Sequence, residues 1–323
     1  DSQTLETWKL RHAGSAGARW YVDLAVRSLY ASEPRDLSLL GVLADIASSG
    51  SFEGLLEIEA SVEDTMFVGG AQEISVRMAE ELGERVVLDS PVHRITHSED
   101  GVLVESELVV VRAGTVIVAV PPALRGRIEY RPALPAIQDG LSQRMPMGAV
   151  IKCHAVYDSP FWRDEGLNGR AESDTGPCTV TTDNSPPGHE AGVLTGFILG
   201  REAREWGMRP AEARRSAVLG CLARYFGERA LEARAYGELD WGAEVYSRGG
   251  YGGFATPGLL TDHGVAVREP VGRIHWAGTE TAAAWTGYMD GAVESGERAA
   301  REVLTRDDFA SGKVRSGTSQ TGG

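Results

Sequence analysis

What these 323 residues lack narrows the possibilities first. No run approaches the ~18 apolar residues that span a bilayer, and the opening stretch DSQTLETWKLRHAG has no apolar signal core. A soluble, cytoplasmic protein is therefore expected. Cysteine is scarce: Cys153, Cys178 and Cys221 have no metal-ligand spacing and fall in stretches resembling strand or helix. Reduced, mostly buried thiols are expected rather than a disulfide framework or a metal centre. Basic charge is also short, with 32 Lys and Arg against 46 Asp and Glu. The net charge of -14 argues against a nucleic-acid surface and mildly suits a cationic substrate. A dinucleotide-binding GxGxxG between a strand and a helix is missing as well. Neither GSAGAR at Gly14 nor GGYGGF at Gly249 fits that pattern.

What remains is the composition of a packed globular protein, 42% hydrophobic and 24% charged with seven Trp. The length allows about two domains. The first sixty residues carry helical spacing in ARWYVDLAVRSLYAS and LSLLGVLADIASS, with Ser and Pro breaks between them. FVGG at 67–70 is a glycine turn. EISVRMAEELG then predicts a helix with Ile74, Met78 and Leu82 on one face, stopped by Gly83.

VVLD, PVHRITHS and VLVES predict strands, the last two joined by a turn at Glu99, Asp100 and Gly101. TVIVAVPP predicts a buried strand of a central sheet, stopped by two prolines. GAVIKCHAVY and GVLTGFIL are further strands, separated by a polar loop. After Pro210 a helix carries Ala217, Val218, Cys221, Leu222 and Tyr225 as one stripe, with Gly227 as its stop. The last unit is a strand over 272–277, a glycine turn and a helix from about Met289 to Leu304. Glu294 with Arg298, and Glu297 with Arg301, are expected i,i+4 pairs on its exposed side. DDFASGKVRSGTSQTGG at the end predicts a disordered tail.

The closing run GRIHWAGTETAAAWTGYMDGAVESGERAAREVL places Gly278 after a strand and Gly287 and Gly291 around a helix start. Amide groups and the positive dipole end of that helix suit a negatively charged ring edge. From spacing alone, an ordinary strand, turn and helix packing unit is the favoured reading of the run. The run is similar, nearly residue for residue, to the C-terminal flavin-binding signature of the flavin-containing monoamine oxidase family. Three further segments match that family in order: YSRGGYGGFATPG (246–258), RMPMGAVIKCHAVYDSPFW (144–162), and TMFVGGAQEISVRMAEELGERVVLDSPVHRI followed by VIVAVPPALRGRIEYRPALP.

The resemblance implies an α/β fold with an α+β substrate part, a two-domain FAD-binding arrangement of interleaved segments without its N-terminal Rossmann half. It implies a helical part of the substrate domain at 1–62, an FAD-domain segment at 63–122, a substrate-binding domain at 123–245, a C-terminal FAD-binding segment at 246–306 and a tail at 307–323. As catalytic residues it implies Lys152, which would hold a water beside flavin N5, and Tyr251 and Tyr288, the walls of an aromatic cage for the amine. As FAD contacts it implies Val92, Trp241, Gly278, Thr279, Glu280, Gly287, Tyr288 and Met289. Val180 and Leu56 would line the substrate's entrance. Where mammalian-type members place a cysteine bonded to the flavin, this chain has Gly250, which implies non-covalent FAD.

The expected reaction is oxidation of a primary or short secondary amine to an imine and then an aldehyde, with O2 reduced to hydrogen peroxide. L-amino-acid oxidation and diamine oxidation stay open, as does a non-catalytic fragment or subunit. Partners are the amine and O2, with a homodimer or a separate FAD-binding half also open. Truncation is the favoured account of the absent GxGxxG segment, and the chain alone is expected to bind FAD poorly and aggregate.

Overall fold

Serines at the breaks between the first helical stretches, and Thr4 ahead of them, become helix caps. In a computed structural model, which describes residues 1–50 and 67–305, Thr4, Ser15 and Ser38 accept hydrogen bonds from the amides of Thr7, Ala18 and Gly41. Each satisfies an amide that a helix start leaves without an internal partner. The helices so capped are α1 (Leu5–His12), α2 (Ala16–Tyr30) and α3 (Leu39–Ser48). There follow α4 (Gln72–Leu82), β1 (Val92–His97), β2 (Val102–Ser106), β3 (Val110–Ala113) and β4 (Val116–Val118). Next are α5 (Pro122–Arg125), β5 (Glu129–Arg131), α6 (Ala136–Arg144), β6 (Val150–Tyr157), β7 (Ala171–Glu172), β8 (Cys178–Asp183) and β9 (Gly192–Leu199). The chain continues through α7 (Gly200–Gly207), α8 (Ala211–Phe226), β10 (Ala235–Asp240), α9 (Leu259–His263), β11 (Ile274–Trp276) and α10 (Met289–Leu304).

The chain separates into two compact units, each drawn from three stretches of sequence: 1–65, 121–126 and 137–264 in one, 66–120, 127–136 and 265–323 in the other. Residues 246–264, joined in the sequence reading to the closing FAD-binding segment, cluster with the first unit. The reason is backbone pairing: Gly250 donates to the Gly148 carbonyl, Phe254 donates to that of Pro146, and Met147 bridges Gly253. Residues 127–136 cluster with the second unit, because β5 adds to β1 in parallel.

The first unit is built on a five-stranded sheet in the order β10-β6-β9-β8-β7, antiparallel throughout. Successive side chains of a strand point to opposite faces, so register decides what shares a face. One face carries Ile151, Cys153, Ala155, Leu194 and Ile198, sealed against Val218, Cys221 and Leu222 of α8. Trp162, fully buried, fills the end of this core, edge-on to Phe161 and Tyr157, and its indole donates to Asp183. The three cysteines are free and buried there, as expected, and burial pushes the Cys153 thiol up to about 12. β7 and β8 were not foreseen, because CTVTTD alternates polar and apolar residues too weakly for a strand to be assigned.

The second unit has a four-stranded sheet, β3-β2-β1-β5, and a parallel pair, β11-β4. Ile95, Val118, Ile274 and Trp276 form its core. Several expectations fail here. VVLD is not a strand: it leaves the turn at Gly83–Arg85 as irregular chain, with Asp89 at φ 52. α4 ends at Gly83 as predicted, yet its apolar face is open, with no buried residue and Met78 60% exposed. The TVIVAVPP strand is only half-buried, since Ile117 is 40% exposed. On α10, Glu297 and Arg301 pair as expected at 2.5 Å. Arg298 instead pairs with Glu302 at 2.6 Å, and Glu294 accepts from the amide of Ala283. Arg298 points inward, so the partner one turn later reaches it and Glu294 does not. No helix among the described residues is long and apolar enough to cross a membrane.

Candidate functional site

Alternation along β6 sends Lys152 to the face of the first unit's sheet opposite the α8 core. Across the register, Lys152 sits opposite Phe197 on β9 and Leu239 on β10, and Phe197 sits opposite Val180 on β8. One rung of side chains on the half-open face therefore runs Leu239, Lys152, Phe197, Val180. The Lys152 ammonium lies 5.5 Å from the centre of the Phe197 ring, within cation–π range. Phe197 and Val180 in turn pack against Ala31, Val150 and Leu199. Val180, proposed from sequence across a variable loop, thus shares the lysine's face two strands away. Leu56 lies outside the described residues.

The next rung is polar. His154 sits opposite Thr195, which sits opposite Thr182, and the His154 Nδ1 shares a 2.9 Å hydrogen bond with the Thr195 hydroxyl. Burial, then the charge of Lys152, holds the imidazole's pKa below its ordinary value. The sequence reading missed this residue, although the period of two on β6 puts it on the lysine's face. Thr195, Phe197 and Thr182 needed the strand register and could not be found from spacing.

Beside this sheet runs the loop that carries Tyr251. Gly148 lets three backbones cross, since a Cβ there would lie 2.2 Å from both the Gly250 and the Tyr30 carbonyl oxygens. The Gly250–Tyr251 peptide is cis, and Tyr251 is 46% exposed. A Cβ on Gly250 would come within 2.9 Å of Val150 and 4.0 Å of Trp241, so a cysteine is absent and its space is taken. Trp241, whose amide donates to the Val150 carbonyl at 3.1 Å, stands next to this peptide.

In the second unit β11 pairs with β4, and the Ala277 amide continues the ladder to the Val118 carbonyl. The chain then turns at Gly278, φ 115, whose amide donates to Ser295. Thr279 clamps the returning loop: its hydroxyl donates to the Tyr288 carbonyl and accepts from the Gly287 amide, both at 2.8 Å. Arg298 ties the same turn from below, donating to the Trp276 carbonyl and to Thr281 at 2.9 Å each. Gly291 is demanded by packing, because a Cβ would fall 2.3 Å from the Trp285 carbonyl. Tyr288, at φ -110, caps α10 with no side-chain hydrogen bond to the first amides, and its ring meets Trp285 edge-on.

Whether this turn suits a flavin depends on free space at its backbone. A Cβ on Gly287 would meet nothing within 4 Å, and one on Gly278 only the Glu280 carboxylate at 3.5 Å. Their backbones are thus open to a planar ring edge, and the uncapped first turn of α10 offers amides to negative charge. Met289 is exposed at that same helix start, whereas Glu280 is buried. Val92 opens β1 at a register irregularity opposite Ser106, and is exposed. Among the described residues no group of His, Cys, Asp and Glu could hold a metal ion.

Comparison with known proteins gives the same direction. Residues 17–304 match the family described as flavin containing amine oxidoreductase. The chain is 40% identical over 305 residues to a protein of Dictyostelium discoideum named probable flavin-containing monoamine oxidase A, covering 94% of this chain and 67% of that one. It is 38% identical to an L-amino acid dehydrogenase of Synechocystis sp., covering 94% of this chain and 64% of the relative. Among solved structures, a putrescine oxidase with putrescine bound superposes with a TM-score of 0.89 at 35% identity, over 95% of this chain and 68% of that one. The chain spans about two thirds of the length of these relatives.

Proposed function

From the premise that this chain belongs to the flavin-containing amine oxidoreductase family, we propose that it carries the amine-oxidising part of an FAD-dependent oxidase. The substrate is a primary or short secondary amine, converted with O2 and water to an aldehyde, hydrogen peroxide and ammonia or, from a secondary amine, a primary amine. The observation that carries this reading is the closing strand, turn and helix, in which Thr279 fixes the Gly287 and Tyr288 backbone. Bound FAD would supply the redox chemistry, a two-electron acceptor for the amine that O2 reoxidises.

The chain's own residues position and exclude. Gly278, Thr279, Gly287, Tyr288 and Met289 would hold the ring edge, with Glu280 buried at the same turn; Val92 in this unit and Trp241 in the first would be further contacts for the cofactor. Gly250 has no thiol to bond it, so it is held without a covalent link. Tyr251 offers an exposed electron-rich face to the amine, and Tyr288 offers another, set by its contact with Trp285. Lys152, on a face otherwise lined by Phe197, Val180 and Leu239, orients a water where oxygen is consumed. Val180 is a small side chain at the substrate's approach.

The test is Lys152→Met in flavin-loaded protein. The visible flavin spectrum is expected to stay, while the oxygen-dependent step slows by more than about tenfold, ~1.4 kcal/mol of barrier. Unchanged reoxidation would remove Lys152 from the reaction. Absence of any peroxide on adding benzylamine, 1,4-diaminobutane or an L-amino acid would overturn the oxidase reading itself.

A further inference from the structure

On the half-open face of the five-stranded sheet, the rung that holds Lys152 and the rung beyond it differ in kind. Leu239, Phe197 and Val180 surround the lysine with apolar side chains. Two residues further along each strand, about 7 Å away, stand Gly237, His154, Thr195 and Thr182. Gly237 adds no side chain, and a Cβ there would meet nothing within 4 Å, so the β10 side of His154 is open space. On the other side Thr195, 1% exposed, shares the 2.9 Å hydrogen bond with Nδ1 and fixes the ring. Among the described residues no hydrogen bond reaches His154 Nε2 or the Thr182 hydroxyl, and both residues are half-buried. Both groups keep a hydrogen-bonding function for a ligand.

The charges on the face decide what that ligand presents. The strands place Lys152 and Glu172 there, and Glu172, opposite Val180, is paired with Arg170 at 2.9 Å. Burial, then the charge of Lys152, keeps the imidazole neutral at physiological pH. A second ammonium would meet the lysine's charge with no unpaired carboxylate among the described residues of the face to offset it. A carboxylate would be drawn to Lys152 rather than to the neutral ring. A hydroxyl suits either tautomer of the imidazole. It accepts from Nε2–H when Nδ1 accepts from Thr195, and it donates to Nε2 when Nδ1–H donates to Thr195.

We propose that His154, oriented by Thr195 and joined by Thr182, is a subsite for a neutral hydroxyl at the far end of the substrate, so that the preferred amines are amino alcohols. This rests on the amine-oxidase reading, which puts the reacting carbon at the level of Lys152, and adds to it the class of substrate. Fully extended, six single bonds span about 7 Å, the spacing of the two rungs, so five carbons between nitrogen and oxygen fit.

The experiment follows the His154 ring nitrogens by NMR in the full chain with FAD and without oxygen, the resonances being assigned by their loss in His154→Leu. The protein is titrated in turn with 5-amino-1-pentanol, n-pentylamine and 1,5-diaminopentane. The amino alcohol is expected to move the Nε2 resonance saturably and to bind about fivefold tighter than n-pentylamine, the net worth of one hydrogen bond exchanged with water. With n-pentylamine Nε2 stays, and the diamine binds no tighter than n-pentylamine. In His154→Leu the amino alcohol and n-pentylamine should bind equally. Thr195→Val, which keeps the side chain's shape but releases the ring, should cut the preference to about twofold, and His154→Gln, which retains a donor and an acceptor, should keep at least that much. An Nε2 unmoved by all three amines, a full preference surviving His154→Leu, or a diamine binding tighter than the amino alcohol would overturn the subsite. An Nε2 that moves with the amino alcohol, while no amine yields peroxide once oxygen is admitted, would overturn the oxidase reading and leave the subsite standing.

Discussion

The two faces of the five-stranded sheet are made by alternate residues of the same strands, and they differ in what may approach them. Ile151, Cys153 and Ala155 point into a core closed by α8, while Lys152 and His154, their immediate neighbours in sequence, face a side that stays half-open. The sealed face holds the fold together and tolerates no polar group without a partner. The open face holds ionisable groups at modest cost because water or a ligand can reach them. The lesson is that strand period sorts residues into structural and chemical sets, but only the covering helix decides which set is which.

The strongest attack on that contrast is Trp162→Ala on the sealed side. The ring is fully buried and its indole is bonded to Asp183, so a loss of about 4 kcal/mol is expected in urea denaturation. A loss under about 1 kcal/mol would mean the core collapses around the gap and the face is not sealed.

Next in size is the largely buried carboxylate of Asp45 on α3. Asp45 holds its proton to about 6 in the folded chain against 3.8 ordinarily, so the folded state binds it more tightly. Its stabilising contribution is complete below 3.8 and is lost as pH rises through about 6. Asp45→Asn should therefore raise stability at pH 8, by on the order of 3 kcal/mol at most, and leave it little changed at pH 4. His154 acts with the opposite sign: its lowered pKa makes the unfolded chain bind the extra proton, so its term is lost as pH falls below 6.5. A flat difference between Asp45→Asn and the parent chain from pH 4 to 8 would break the assignment.

Smallest is the crossing at Gly148. Gly148→Ala drives a Cβ into two carbonyl oxygens and should cost about 1–3 kcal/mol with a displaced Tyr251 loop. Gly220→Ala on α8, where a Cβ meets nothing, is the control and should stabilise by about 0.4–1 kcal/mol. Equal effects would show that backbone crowding is not what fixes the loop.

Much of this arrangement was legible beforehand. The bounds of α10, the turn at FVGG, the hairpin of β1 and β2, the buried thiols and the stripe on α8 follow from local periodicity and from glycine and proline stops. The closing motif named its own turn, because Gly278, Thr279 and Gly287 act on one another within ten residues. VVLD misled because a short apolar run is strand only if another strand accepts its hydrogen bonds, and none among the described residues does. The helix α4 and its stop were legible, but its open apolar face was not, since amphipathic spacing predicts a helix and not whether a neighbour covers it.

By itself the sequence determined the local elements and the fold of the closing turn, because both depend on contacts between residues near in the chain; its likeness to a flavin seat came from resemblance. It also supplied Lys152 and Tyr251, through resemblance rather than through physics. The tertiary structure alone decided that Lys152 shares a face with Phe197, Val180, His154 and Thr195, because register between strands forty residues apart is set by packing. It alone set Tyr30 against Asp45 with no cation among the described residues to balance the charge, since which helix end meets which side chain is a property of the folded chain.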